Sequence, residues 1–256
     1  MSVLRDRVVF VTGASSGIGA ACARIFARDG ARLLLAARRA ERLERAREEL
    51  SRLGAAELRL LALDVRDEAA VFGNLDALPK AWKQIDVLVN NAGLSRGLDP
   101  LHEGHTADWH EMIDTNVKGL LYVDRAVVPL MAERRRGIVV HIGSIAGRQV
   151  YPAGNVYCAT KHAVRALTDS LRIDLQGTGV RVTSVDPGMV ETEFSEVRFH
   201  GDRARAAEVY RGITPLSADD VAEVIHFAAT RPAHVSIADV LILPTDQAST
   251  THVYRS

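Results

Sequence analysis

The stretch that decides the fold runs from residue 8 to residue 19 and reads Val8-Val9-Phe10-Val11-Thr12-Gly13-Ala14-Ser15-Ser16-Gly17-Ile18-Gly19. Its β-branched and aromatic start predicts a strand over residues 8–11, and residues 20–29 predict a helix after the glycines. A strand, a glycine turn and a helix in this order can bind a pyrophosphate through backbone N–H groups at the helix N-terminus. The spacing G-x-x-x-G-x-G is weak evidence alone, and its place after the first strand strengthens the prediction.

Outward from this stretch, apolar runs alternate with helical stretches along the whole chain. Six further strands are predicted at residues 32–37, 58–63, 85–89, 137–144, 180–185 and 240–243, and the longer helices at residues 41–53, 68–83, 108–128 and 157–176, the second of them broken near Pro79. This alternation predicts an α/β fold, a Rossmann-like, doubly wound parallel sheet of about seven strands with helices on both faces. Ligands of such sheets bind at the carboxyl ends of the strands.

Domain organisation follows from the absence of linkers, repeats and low-complexity segments. We expect one domain over residues 1–256. Residues 195–210 mix aromatic and charged side chains around Gly201-Asp202, which predicts a mobile segment rather than core. This segment, with its flanks, is the expected substrate flap at about residues 190–215.

Composition excludes several function classes. Lys plus Arg and Asp plus Glu both number 32, so no net charge attracts nucleic acid or an anionic membrane. Cys22 and Cys158 form no disulfide framework, and no Cys/His spacing indicates a metal site. No signal peptide and no apolar run near 18 residues is evident. We therefore expect a soluble, cytoplasmic protein without a metal.

The end of the second predicted strand indicates which dinucleotide binds. An acidic residue near this position would hold a ribose 2′-hydroxyl, but the strand ends in Arg38-Arg39. Guanidinium groups bind a 2′-phosphate through charged hydrogen bonds, so NADP(H) is expected over NAD(H). The alternative is that both arginines end a strand and face water. At the end of the third strand, Asp64 either accepts a hydrogen bond from the adenine amino group or caps the helix that begins near Asp67.

A second informative stretch, SIAGRQVYPAGNVYCATK, runs from Ser144 to Lys161. On a helix, Tyr157 and Lys161 share one face, one turn apart. The ammonium should lower the phenol pKa below its usual value of about 10, which would make a proton-transfer pair. Ser144, at the end of a strand, can converge with this pair on one substrate oxygen. An exposed helix turn is the ordinary alternative for an isolated Tyr-x-x-x-Lys.

With these residues in place, the chain resembles the short-chain dehydrogenase/reductase family over nearly its whole length. The motifs are the glycine turn at 12–19, Asn90-Asn91-Ala92-Gly93, Asn116, Ser144, Tyr157-x-x-x-Lys161 and Pro187-Gly188. The resemblance implies that Tyr157 is the general acid/base and that Lys161 lowers its pKa and holds the nicotinamide ribose. It further implies that Ser144 binds the substrate oxygen and that Asn116 holds a water in a proton relay. By itself, a mid-helix Asn is usually solvated or locally bonded.

The same resemblance implies a binding site for NADP(H). Its expected residues are Gly13, Ser15, Ser16, Gly17, Ile18, Gly19, Arg38, Arg39, Asp64, Val65, Asn91, Ala92, Gly93, Tyr157, Lys161, Pro187, Gly188, Val190 and Thr192. Thr192 would donate to either the nicotinamide amide or a phosphate.

Within the family, the chain is similar to NADP-dependent 3-hydroxy acid dehydrogenases that act on serine, allo-threonine and related short acids. The most distinctive stretch is Thr192-Glu193-Phe194-Ser195-Glu196-Val197-Arg198-Phe199. A hydroxy acid needs a counter-charge, so Arg198 and then Arg148 are the candidates for binding its carboxylate; a surface position is the alternative for each. Leu243-Pro244-Thr245-Asp246-Gln247 also resembles clavaldehyde-type aldehyde reductases, which leaves reduction of a bulkier aldehyde or ketone as the second hypothesis.

Two further expectations concern function and assembly. A non-catalytic NADP-binding sensor is the third hypothesis, although such a protein is expected to lack part of the tetrad Asn116, Ser144, Tyr157 and Lys161. The expected partner is a small-molecule substrate, with no nucleic acid and no membrane. The family resemblance implies a homotetramer formed through the helices that carry Asn116 and Tyr157 and through the last strand and tail.

Overall fold

The strands form one parallel sheet. The computed structural model describes residues 3–256, and within that range seven strands lie in the order β3-β2-β1-β4-β5-β6-β7. They are β1 Val8–Thr12, β2 Arg32–Ala37, β3 Glu57–Ala62, β4 Ile85–Asn90, β5 Gly137–Ile142, β6 Val180–Pro187 and β7 Asp239–Ile242. The chain leaves β1 toward β2 and returns to its other side at β4, so a crevice opens at the carboxyl end of these central strands.

The helices cover both faces of the sheet. They are α1 Gly17–Arg28, α2 Ala40–Leu53, α3 Glu68–Asp76, α4 Thr106–Ile113, α5 Leu120–Glu133, α6 Asn155–Asp174, α7 Phe194–Arg198, α8 Arg203–Glu208 and α9 Ala218–Ala229. One apolar core lies between the sheet and α1, α2 and α9, and the other between the sheet and α3, α5 and α6. Burial on both faces explains why the strands are continuous apolar runs rather than alternating ones. The predicted doubly wound fold is confirmed.

Two predicted helices differ from the structure. The helix expected over residues 68–83 ends at Asp76, because Ala77 and Leu78 turn the chain before Pro79, whose ring disfavours a helical residue ahead of it. The helix expected over residues 108–128 spans residues 106–133, but α4 and α5 are joined by a π-helix at Asp114–Gly119. This π-helix carries Asn116.

The flap segment contains two short helices that the sequence did not predict. It contains α7 and α8, and Phe199 between them is buried to 6% exposure. Tyr210 donates to the carbonyl oxygen of Val190 at 2.8 Å and shares a 2.8 Å hydrogen bond with the Ser195 hydroxyl. These contacts fix the base of the flap beside the carboxyl end of β6. Across residues 3–256, no helix is long and apolar enough to cross a bilayer.

Candidate active site

A cavity of about 310 Å³ follows the carboxyl ends of the central strands. One end lies at Arg38, Arg39 and Asp64, and the other at Tyr157 and Lys161. The glycine turn and the loop after β4 line the middle. The cavity therefore connects the arginines that follow β2 with Tyr157 and Lys161 on α6, along the edge of the sheet where dinucleotides bind in such folds.

The glycine turn brings backbone N–H groups into this cavity. The helix α1 begins at Gly17 rather than at the predicted Ala20, so Gly17, Ile18 and Gly19 form its first turn. Gly13 has a φ of +65°, and a Cβ there would lie 2.8 Å from Nδ2 of Asn91. Asn91 Nδ2 donates to the carbonyl oxygen of Thr12 at 2.9 Å, which ties the turn to the end of β4.

The structure brings the expected cofactor residues together. All of them except Gly19 line the cavity. Gly19 lies behind it, where a Cβ would overlap the carbonyl oxygen of Gly13. Thr115 also lines the cavity, and among residues 3–256 its hydroxyl is the one buried side-chain polar atom without a partner. An orphaned hydroxyl, free helix N–H groups and cationic side chains suit a polar, anionic dinucleotide, so these residues fit NADP(H).

Arg39 is the better-placed guanidinium at the cationic end. Its Nη2 donates to the Ser16 hydroxyl at 2.7 Å, and Nε and Nη2 each donate to the Ser15 hydroxyl at 3.3 Å. Nη1 donates to the Glu193 carboxylate at 2.8 Å. Arg38 is half exposed, with Nη1 3.8 Å from the Glu111 carboxylate. Both arginines line the cavity rather than only facing water.

Asp64 is engaged by a neighbour. Its carboxylate accepts hydrogen bonds from Arg66 at 2.6 and 3.0 Å. Partial burial raises the pKa of Asp64, but the Arg66 bonds outweigh it and lower the pKa overall. The capping alternative is wrong, because the N-cap of α3 is Asp67, whose side chain accepts from the Ala70 N–H. Asp64 remains beside the cavity as a possible hydrogen-bond acceptor.

Tyr157 and Ser144 lie at the other end of the cavity. Both are buried to 8% exposure, and Tyr157 packs edge-on against the ring of Phe194, with centroids 5.5 Å apart. Burial raises the pKa of Tyr157 above its ordinary value, although a hydrogen bond with Ser144 and the charge of Arg198 oppose the rise. The predicted lowering of this pKa is thus wrong for the chain alone, because desolvation of the phenolate outweighs the nearby charges.

Lys161 is buried on the same helix face. Its ammonium donates to the carbonyl oxygen of Ile142 at 2.8 Å. Burial lowers the pKa of Lys161 to about 8, and the negative charge of Asp186 opposes that lowering. Lys161 is therefore mainly protonated at neutral pH and titrates just above it.

Asn116 does not line the cavity, and both hydrogens of its side-chain amide are donated to neighbours. Oδ1 accepts from the Leu94 N–H at 2.8 Å, and Nδ2 donates to the Leu94 carbonyl at 2.8 Å and to the Thr160 hydroxyl at 3.0 Å. A Cβ on Gly93 would lie 3.2 Å from Asn116 Oδ1 and 3.6 Å from Lys161 Nζ. Asn116 therefore fixes the loop beside Lys161 and has no amide hydrogen left to donate, whereas Oδ1 can still accept a second hydrogen bond. Its role in holding a relay water stays a prediction.

A second, smaller cavity of about 180 Å³ adjoins Ser144 and Tyr157. Arg198 lines it, as does Tyr151, whose hydroxyl accepts from Arg198 Nη2 at 3.1 Å. Tyr210, Gln247 and Thr250 complete its polar wall. Tyr151, Tyr210 and Gln247 were not predicted as site residues. No local pattern marks them, since they come from three segments that only the fold brings together.

Arg148 is not available to a substrate. Its Nε donates to the Asp186 carboxylate at 2.7 Å, and its Nη2 donates to Asp239. It lines neither cavity. The prediction of Arg148 as a carboxylate-binding residue is wrong, because two carboxylates neutralise the guanidinium and hold it against β6 and β7.

Comparison with known proteins agrees with this geometry. A family model for short chain dehydrogenases matches residues 7–202. Sulfoacetaldehyde reductase 2 of Chromohalobacter salexigens is 50% identical over 242 residues, which cover 94% of this chain and 95% of that protein. An NADP-dependent 3-hydroxy acid dehydrogenase of Salmonella typhi is 47% identical over 241 residues, covering 94% and 96% of the two chains.

Among solved structures, the closed form of a serine dehydrogenase complexed with NADP+ superposes with a TM-score of 0.91. It is 45% identical and covers 97% of this chain and 100% of its own. The family model spans most of the sequence, and these relatives match almost end to end. The chain belongs to the short chain dehydrogenase family.

Proposed function

We propose that the chain is an NADP-dependent oxidoreductase that transfers hydride between NADP(H) and a small 3-hydroxy acid or the matching oxo acid or semialdehyde. The observation that carries the substrate class is Arg198. Its guanidinium lines the same small cavity as Ser144 and Tyr157, and no carboxylate within residues 3–256 forms an ion pair with it.

The contacts of Arg198 favour an anionic substrate. Nε donates to the Ser95 hydroxyl at 3.1 Å and Nη2 to the Tyr151 hydroxyl at 3.1 Å, both neutral acceptors. The guanidinium carbon lies 5.3 Å from the Tyr157 ring centre and 5.1 Å from that of Phe194. Arg198 thus places a positive charge that no carboxylate neutralises beside Tyr157, the proposed acid/base. A short hydroxy acid needs such a counter-charge for its carboxylate.

The cofactor site is proposed from the large cavity. Helix N–H groups at residues 17–19 would hold the pyrophosphate, and Arg38 and Arg39 with Ser15 and Ser16 would hold a 2′-phosphate. The bound cofactor supplies or accepts the hydride. NADP-dependent relatives with the same fold support this choice over NAD(H).

The remaining chemistry belongs to side chains of the chain. In reduction, the Tyr157 hydroxyl donates its proton to the substrate oxygen, and its raised pKa keeps that proton in place until negative charge develops. Ser144 orients the same oxygen, and Lys161 provides a buried positive charge beside it. In oxidation, Tyr157 must first lose its proton. We propose Asn116 as a positioning residue for Lys161, through the Leu94 loop.

A second candidate substrate is sulfoacetaldehyde, because a relative that is 50% identical is a sulfoacetaldehyde reductase. A sulfonate carries the same single negative charge as a carboxylate. Its oxygens can accept hydrogen bonds from the Arg198 guanidinium and the Tyr151 hydroxyl, as carboxylate oxygens can. The bulkier aldehyde reading is less favoured, since the cavity beside Tyr157 encloses only about 180 Å³ and carries Arg198. The sensor reading is the least favoured, because Ser144, Tyr157 and Lys161 all face the large cavity.

The test is a substrate panel measured with NADP+ or NADPH by absorbance. Serine, allo-threonine and 3-hydroxypropionate are compared with uncharged alcohols of similar size, and sulfoacetaldehyde with an uncharged aldehyde. Turnover of the acids but not of the alcohols supports the proposal. Faster turnover of the sulfonate than of the carboxylates moves the assignment to sulfoacetaldehyde, and turnover of uncharged or bulky compounds alone overturns the anionic class.

The Arg198→Gln variant sharpens this test. Removing a charge-assisted contact should raise KM for the anionic substrate by about tenfold to a hundredfold, with little change for an uncharged aldehyde. Arg203→Gln is the matched control, because Arg203 lies on the same flap and pairs with Glu196 at the surface. An Arg198→Gln enzyme with an unchanged KM for acids would remove the basis of the proposal.

We place the site in one domain over residues 1–256, with the substrate flap at about residues 190–215. A homotetramer is supported by the exposed apolar side chains Leu121 on α5, Ile173 on α6, Leu241 on β7 and Tyr254 in the tail. We further propose that the enzyme works in the cytoplasm, in line with its two free, buried cysteines.

A further inference from the structure

Glu193 connects the cofactor cavity to the substrate flap. It lines the large cavity and immediately precedes α7, the helix that carries Phe194 and Arg198. Its carboxylate accepts from Arg39 Nη1 at 2.8 Å and from Arg42 Nη1 at 2.5 Å. One carboxylate is thus held between two guanidiniums, at the end of the cavity that lies beside β2.

The second side of the Arg39 guanidinium is held by hydroxyls of the glycine turn. Nη2 donates to Ser16 and Nε to Ser15, so the plane of the group is fixed. An oxyanion placed against Arg39 at this position meets guanidinium and hydroxyl donors together. In the chain alone, the oxyanion there is the Glu193 carboxylate.

We propose that Glu193 is an internal competitor for the 2′-phosphate of NADP(H), occupying Arg39 in the free enzyme and yielding it when the cofactor binds. This inference rests on the proposed function, because it requires Arg39 to bind that phosphate. A phosphate with a charge near −2 is a stronger acceptor than a carboxylate, so it takes the Arg39 donors. Arg42, three residues further along, keeps its bond to Glu193 after the exchange.

Two consequences follow from this exchange. Glu193 weakens the binding of NADP(H) but not of NAD(H), since only the former brings a phosphate to Arg39. The exchange also reaches the substrate flap, because Glu193 is the residue before α7 and its side chain is one of the contacts that hold α7 against the cofactor site. Glu193 therefore moderates cofactor preference and promotes release of the spent cofactor.

The expected effect is modest because the ion pair is partly solvated. The side chains of Arg39, Arg42 and Glu193 are 38%, 36% and 39% exposed. Charges at this exposure interact weakly, so Glu193→Gln should tighten NADP+ binding by about fivefold. Binding of NAD+ should change by less than about twofold, and the gain for NADP+ should shrink at high salt.

The experiment is calorimetric titration of the purified enzyme with NADP+ and with NAD+, at low and at high salt. Glu193→Gln is compared with Glu191→Gln, which removes an exposed carboxylate from the same loop and should leave both affinities unchanged. The proposal is supported when Glu193→Gln tightens NADP+ binding selectively. It is overturned when NADP+ binding is unchanged, or when NADP+ and NAD+ weaken together, as they would if Glu193 only anchored the loop.

A third variant separates this proposal from the cofactor assignment. Arg39→Gln should weaken NADP+ binding and leave NAD+ binding nearly unchanged. If wild-type enzyme does not prefer NADP+ to NAD+, or if Arg39→Gln has no effect on that preference, the assignment of the 2′-phosphate site fails. If Arg39→Gln selectively weakens NADP+ binding but Glu193→Gln binds NADP+ and NAD+ as the wild type does, only the role of Glu193 is overturned.

Discussion

Near the Tyr157 end of the large cavity, the ionisable side chains of Tyr157, Lys161 and Asp186 are buried. Burial raises the pKa of Tyr157, so the phenol keeps its proton. Burial also lowers the pKa of Lys161 to about 8, so the ammonium loses its proton just above neutral pH. The charge of Asp186 supports the charged form of Lys161. The buried positive charge of Lys161 is thus present below about pH 8 and is lost above it.

Asp186→Asn should change the pH dependence of carbonyl reduction. Without the carboxylate, burial acts unopposed and the Lys161 pKa falls below about 8. The pH at which kcat/KM begins to decline should move downward, as measured by NADPH consumption from mildly acidic to alkaline pH. Asp239→Asn is the control, since it also removes an Arg148 ion pair but does not act on Lys161. Identical profiles for all three enzymes would contradict the assigned charge effect.

Tyr157→Phe should remove turnover and spare cofactor binding. The loss of a general acid costs about a hundredfold to ten-thousandfold in kcat, whereas the ring still packs against Phe194. Tyr151→Phe removes a hydroxyl from the same small cavity and should chiefly raise KM, since that hydroxyl bonds Arg198 rather than the reacting oxygen. Stopped-flow turnover and NADPH titration separate the two effects. A normal kcat for Tyr157→Phe would mean that another group is the general acid.

Among the secondary-structure elements, the π-helix at Asp114–Gly119 shows what a periodic pattern leaves out. The apolar spacing of the sequence predicts a helix through this region, and a helix is present. A π-turn accommodates one extra residue within an otherwise continuous helix, and no residue type marks where it falls, so its site in the chain is not predictable from periodicity. Yet this turn presents Asn116 to the Leu94 loop and Thr115 to the cavity.

Two residues near the start of α9, Ser217 and Asp219, are of the types that cap helices. The structure has Ser217 as N-cap, in a capping box in which Ser217 Oγ accepts from the Asp220 N–H and the Asp220 carboxylate accepts from the Ser217 N–H. Asp219 instead accepts from Arg24 on α1 at 3.0 Å. The sequence supplied the right residues, and only the geometry distinguished their roles.

Ser217→Ala should lower the free energy of unfolding by about 1 kcal/mol, because the Asp220 N–H at the start of α9 loses its acceptor, the Ser217 hydroxyl oxygen. Ser51→Ala is the matched control: Ser51 is exposed within α2, where alanine is the better helix former, so stability should stay equal or rise slightly. Urea denaturation followed by circular dichroism measures both. Equal stabilities for Ser217→Ala and wild type would mean that water replaces the cap at no cost.

At the scale of the whole molecule, the predictable part of the site is the part built at strand ends. The glycine turn, Arg38-Arg39, Asn91, Ser144 and Pro187-Gly188 each follow a recognisable apolar run, so their shared edge follows from the parallel sheet. The contacts that control those groups join distant segments. Glu193 lies 154 residues from Arg39, and Arg198 lies 103 residues from Ser95. No periodic pattern encodes such pairs, which depend on how the flap folds over the sheet.

The C-terminal tail forms hydrogen bonds with the end of the flap. Arg255 Nη2 donates to the Val209 carbonyl at 3.1 Å, Arg255 Nη1 donates to the Arg211 carbonyl, and the Ser256 N–H donates to Gly212 at 3.0 Å. Earlier in the tail, Gln247 and Thr250 line the small cavity. Arg255 and Ser256 therefore hold the end of the flap in place, while Gln247 and Thr250 form part of the wall of the small cavity.

Deleting Arg255 and Ser256 should loosen the flap without touching the cofactor end. The lost bonds are exposed and few, so KM for an anionic substrate should rise by about threefold to tenfold, while Kd for NADP+ stays the same. Limited proteolysis should also cut faster between residues 199 and 212. Arg231→Gln, which loses hydrogen bonds at the far end of α9, is the control for surface charge. If the truncation weakens NADP+ binding and substrate binding to the same degree, the tail stabilises the whole fold rather than the flap. Contacts that hold only the flap should affect the small cavity and not the cofactor end of the large one.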